Sequence, residues 1–137
     1  MAKSPFVTPD GLRIESFDEE KFGPMDLVLG KQNLLIDWAI NEPGCCAGFI
    51  EWEETKAPYP YCHNEVHYAI TGSAEYTYTS YPFHMEEQTR LVNTGDICLI
   101  RYGTVAGIRP IERPYRTLYV VMPMPETPYQ PFDDVTS

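Results

Sequence analysis

No apolar run in this sequence approaches the ~18 residues that a membrane-spanning helix requires. No apolar stretch near the start precedes a cleavage-like site, so a signal peptide is not expected. Basic residues are scarce: ten Lys and Arg stand against twenty acids, a net charge of −10. Nucleic-acid binding relies on basic patches that displace counterions from phosphates, and anionic membranes select the same charge. Neither nucleic acid nor membrane is therefore an expected partner. The cysteines Cys45, Cys46, Cys62 and Cys98 form no CxxC pair. Free thiols in a reducing cytoplasm are the simplest reading. No glycine-rich loop is present to cradle a nucleotide phosphate. Long helices are excluded as well, because thirteen prolines and nine glycines interrupt the chain too often.

What remains is β-forming. At 137 residues the chain has the length of one domain. Aromatic residues reach 13%, with ten tyrosines, and Val, Ile, Tyr and Thr cluster between the breaks. Strands are predicted at 12–16, 27–29, 34–40, 48–53, 65–70, 74–79, 89–92, 97–100, 106–109 and 116–122, with turns at the intervening Gly, Pro and Asn-Thr-Gly-Asp positions. Many short strands at this spacing imply an all-β sandwich or barrel. Residues 1–24 read as an N-terminal arm, with one helical turn at Asp18-Glu19-Glu20-Lys21. The body spans 25–123. Residues 124–137 form a Pro-rich acidic tail, expected to pack on the barrel or on a neighbouring subunit.

The run Tyr61-Cys62-His63-Asn64-Glu65-Val66-His67-Tyr68-Ala69-Ile70-Thr71-Gly72 alternates polar and bulky residues and stops at a glycine. On a strand, His63, Glu65 and His67 share one face, and all three handle protons or bind metals. Burial raises a carboxylic acid's pKa and a nearby imidazole lowers it, so Glu65 beside His63 or His67 suits acid–base catalysis. Tyr59, Tyr61 and Tyr119 can offer hydroxyls to a substrate's oxygens. A divalent metal held by His63, Glu65 and His67 is the competing chemistry. On an ideal strand, however, His63 and His67 stand about 13 Å apart, and all three reach one ion only if the strand bends. A purely structural role, with the histidines satisfying a buried carboxylate, is the third alternative. Trp38 and Trp52 read as packing residues, Cys62 and Cys98 as small core residues, and the Glu75–Thr79 stretch as half-buried sheet surface. His84 falls in a polar hairpin over 81–88.

Two stretches resemble the motifs of the cupin superfamily. Glu65 and Gly72 match the Glu-x6-Gly ending of its first motif, and Gly95-Asp96 with Arg101-Tyr102-Gly103 is similar to its second, with Arg101 in a proline's place. The runs Ala47–Trp52, Asn64–Gly72 and Tyr115–Pro123 resemble the ethanolamine-utilisation EutQ-like cupins. That resemblance implies a small jelly-roll barrel (a double-stranded β-helix), and it implies a link to ethanolamine or acyl-phosphate metabolism. The family's metal-binding members carry a His-x-His pair where this chain has Pro58, Tyr59, Pro60 and Tyr61, and a further histidine near Ala106 or Gly107. Of that ligand set only Glu65 remains, so any metal would need a non-standard site.

The expected function is a cytoplasmic cupin that binds a small polar metabolite in its lumen and acts on it by acid–base chemistry of lyase, isomerase or hydratase type. The alternatives are a non-standard metal cupin with oxygenase or isomerase chemistry, and a non-catalytic binding or scaffold protein. A homodimer is expected in each case, because open sheet edges need covering.

Overall fold

A computed structural model describes residues 11–24, 34–42, 44–55, 58–80 and 84–122. Among the described residues there are eight strands and no α-helix: β1 (Gly23–Pro24), β2 (Leu34–Glu42), β3 (Cys45–Trp52), β4 (Tyr59–Pro60), β5 (Glu65–Ser80), β6 (His84–Val92), β7 (Ile97–Ile100) and β8 (Thr104–Val121). All pairings are antiparallel, in the order β1-β2-β3-β8-β5-β6, with β4 joined to β8 and β7 to β5. The all-β expectation holds.

Two strand pairs expected from the sequence are single long strands. The 65–70 and 74–79 segments join as β5, and 106–109 and 116–122 as β8. Each runs through both halves of the one sheet. The first half of β5, through Thr71, pairs with β7 and with the end of β8; the second half pairs with β6 and with the beginning of β8. The register shifts repeatedly between Ala69 and Ala74, where β5 bends. Gly72 makes the bend possible: its φ is +76°, and a Cβ there would overlap the Glu112 carbonyl oxygen and sit 2.5 Å from that of Pro114.

Bending folds the inward faces of the two halves over one core. Ala69, Ala74, Tyr76, Ile108, Tyr115 and Tyr119 are among its most buried residues. Tyr76, the buried member of the half-buried 75–79 stretch, belongs to this core. The predicted helical turn is a 3-10 turn at Glu19–Lys21 whose first free amide is capped by Asp18. Segment 12–16, expected as a strand, is irregular, and its neighbour β1 falls inside the 1–24 segment. The expected strand at 27–29 and the tail at 124–137 lie outside the described residues. His84 opens β6 opposite Ser80.

Candidate functional site

Glu65 is the first residue of β5, paired on one side with Val121 of β8 and on the other with Ile100 of β7. Alternation points Glu65, His67 and Ala69 inward. The segment before the strand is not extended. Tyr61 is tied to Thr104 and Gly103 through its backbone, and the Asn64 carbonyl accepts from the Met122 amide. The Asn64 side chain accepts in turn from the Tyr102 amide. Cys62 and His63 lie in the bend between these anchors.

That bend brings together what an ideal strand would hold apart. The His63 Nε2–H donates to Glu65 Oε1 at 2.9 Å, while the His67 Nε2–H donates to Glu65 Oε2. Behind His67, the Tyr76 hydroxyl stands 3.0 Å from Nδ1 and the Tyr115 hydroxyl 2.7 Å from that of Tyr76. With His67 as the Nε2–H tautomer, Tyr115 donates to Tyr76, Tyr76 to His67 and His67 to Glu65, so each donor has an acceptor. Trp52 packs beside His67 at 5.3 Å between ring centroids, its indole N–H given to Thr117.

Burial opposes ionisation of Glu65, yet hydrogen bonds and positive charge from His63 and His67 overcome it and hold the carboxyl down at about 2. The upward shift expected from an enclosed carboxylic acid is outweighed. Burial pushes Tyr61, Tyr76, Tyr115 and Tyr119 above the usual phenol range, so all four keep their protons.

Glu65 and His63 line a cavity of about 240 Å³. Tyr59, Tyr61 and Tyr119 line it. Leu34, Ile36, Ile50 and Val121 supply aliphatic wall. Trp52 packs in the core as expected, and both Trp38 and Trp52 also line the cavity. A register shift after Asp37 turns β2 there, and alternation counted along a regular strand could not show it. His67 is fully buried behind Glu65 and is not part of the cavity wall. Cys98 packs against the core as expected, whereas Cys62 is exposed in the bend, its sulfur 3.7 Å from His63 Nδ1. All four thiols are free.

The Tyr119 hydroxyl is buried without a hydrogen-bonding oxygen or nitrogen among the described residues. It lies beside the Cys46 thiol and over Gly48, whose missing side chain makes room for it. Tyr76 and Tyr115, which support His67, were not anticipated as site residues. Their signal was present in the inward phase of β5 and β8, but it depended on knowing that both strands bend.

His63, Glu65 and His67 do not fit a resident metal. Their Nε2 atoms address different oxygens of one carboxylate, which lies between the rings, instead of converging with it on a common point. Among the described residues, no group of three or more His, Cys, Asp or Glu side chains is arranged to hold an ion.

No family model and no curated protein matches the chain. Solved structures do. An FeII form of HppE superposes with a TM-score of 0.60 at 9% identity, over 85% of this chain and 63% of that one. This chain thus spans less than two thirds of HppE. The cupin domain of Cnp3 from Schizosaccharomyces pombe gives 0.56 at 20% identity, over 71% of this chain and 66% of that one. The fold is that of the cupins. Within it the chain is similar to the ethanolamine utilisation protein EutQ of Salmonella typhimurium LT2, with a TM-score of 0.55 at 21% identity over 74% and 78% of the two chains. At these identities the likeness concerns the fold.

Proposed function

We propose that this small cupin-fold protein binds a small metabolite in the cavity and moves a proton on it through His63. The observation that carries this reading is an ionised carboxylate clamped between two imidazoles in the wall of an aromatic pocket. Glu65 stays an anion near neutral pH, so it is the orienting and charge-stabilising partner, not the acid. His63 lines the cavity, and its Nδ1 meets only the weakly bonding Cys62 thiol, which a substrate atom can displace. On taking a proton, His63 becomes an imidazolium that Glu65 stabilises across 2.9 Å. His67, Tyr76 and Tyr115 keep the carboxylate in position. Tyr59, Tyr61 and Tyr119 orient substrate oxygens or nitrogens. Such a site suits elimination, isomerisation or hydration.

The test is deuterium exchange. Metabolite mixtures incubated with the protein in D2O should show loss of a C–H signal in the bound compound, and His63→Asn should abolish it while the fold persists. Compounds that bind the cavity yet never exchange would replace this reading with that of a non-catalytic binding protein.

Self-association belongs to the same proposal. Phe49, Leu118, Tyr68 and Ile97 are cross-strand partners on the outer face of β3, β8, β5 and β7. Ala47, Val120, Val66 and Leu99 form the next row. Phe17 covers Phe49, but Tyr68, Ile97 and Leu99 are exposed. A second copy of this flat face would cover them.

A further inference from the structure

The cavity has a charge preference written into its walls. Among the described residues, no lysine or arginine lines it. Arg13, Arg109, Arg113 and Arg116 pair with acids elsewhere. The imidazole N–H groups nearest the cavity are already given to Glu65. An anionic ligand would therefore enter an aromatic pocket with no fixed cation to receive it and with a carboxylate in its wall. That is a costly arrangement in a desolvated site.

A cation meets the opposite situation. Each Glu65 oxygen has accepted one N–H and retains a second lone pair. Tyr119 lines the cavity with its ring, while its hydroxyl is buried beside the Cys46 thiol. Trp38 packs edge-on against Tyr119 at 6.1 Å and is half exposed, placing an indole at the mouth. Tyr59 and Tyr61 add further rings. Aromatic faces attract cations, most strongly when desolvated, and the net charge of −10 raises the local concentration of cations.

We propose that the ligand of this cavity is a small organic cation, an ammonium group on a short apolar body, held on the Glu65 carboxylate against the aromatic wall. The proposal rests on the reading of the cavity as the ligand site, and its test separates the two. The chain's two tryptophans are both cavity residues, so their indole N–H resonances report occupancy directly. Butylammonium, 1-butanol and butyrate have similar bodies and differ in the head. Titrated at pH 7 into the full chain, butylammonium should shift both indoles saturably and bind about tenfold tighter than butanol, with butyrate weakest. Glu65→Gln should lower butylammonium affinity severalfold and leave butanol unchanged. Trp38→Leu, at an exposed position that the fold tolerates, should do the same. Butanol binding as tightly as the amine, or butyrate binding best, would overturn the cation while leaving the cavity as a ligand site. If none of the three shifts either indole saturably, both readings fall.

Discussion

Glu65 is an anion between two imidazoles, and acid should dismantle that arrangement over a defined range. Its folded pKa lies below the ordinary carboxyl value, so the stabilisation is fully present above about pH 4.5 and is lost as pH falls towards 2. The contribution is about 3 kcal/mol at neutral pH, roughly half of it gone by pH 3. Urea denaturation at pH 7 and pH 3 should show the wild type losing more stability than Glu65→Gln; equal losses would place the acid sensitivity in other carboxyls. Tyr76→Phe removes the donor to His67 Nδ1 inside the core and should cost about 1–3 kcal/mol. A double-mutant cycle with Tyr115→Phe should be non-additive, because both hydroxyls belong to one chain of donors.

At the level of elements, the strands were legible wherever a short run kept one alternation. Segments 34–40, 48–53 and 97–100 correspond to β2, β3 and β7 within a few residues. The bent strands β5 and β8 were read as pairs, because Gly72 and the prolines at 110 and 114 look like ends when they are corners. The same corner explains why His63, Glu65 and His67 were found as a group while Tyr76 and Tyr115 were not. The trio is local in sequence, whereas its support arrives from the second half of β5 and from β8. Gly72 carries the corner. Gly72→Ala adds a Cβ both to a left-handed backbone and against two carbonyl oxygens, and should destabilise by more than ~3 kcal/mol or prevent folding. Gly44→Ala has a similar φ of +80° but nothing within 4 Å of the new Cβ, and should cost only about 1–2 kcal/mol. Thermal melts of the two variants give the comparison, and equal losses would mean that the carbonyl overlap relaxes freely.

For the whole molecule, charge and apolar surface divide the labour. The net charge of −10 discourages indiscriminate association, while the exposed face around Tyr68, Ile97 and Leu99 invites a self-complementary partner. Ile97, 71% exposed, packs little within one chain. Ile97→Glu should therefore leave the melting temperature of the isolated chain nearly unchanged while shifting sedimentation from dimer to monomer. A wild type that sediments as a monomer at high micromolar concentration removes the expectation of a homodimer.

The donor chain from Tyr115 through Tyr76 to His67 passes from β8 to the second half of β5 and back to its first half before it ends on Glu65. If His63 and Glu65 act as proposed, reactivity and cohesion are built from the same few bonds. Drift that retunes the proton site also loosens the seam between the halves of the sheet, so changes in chemistry on this scaffold are easier to make at the rings of the cavity than at its acid.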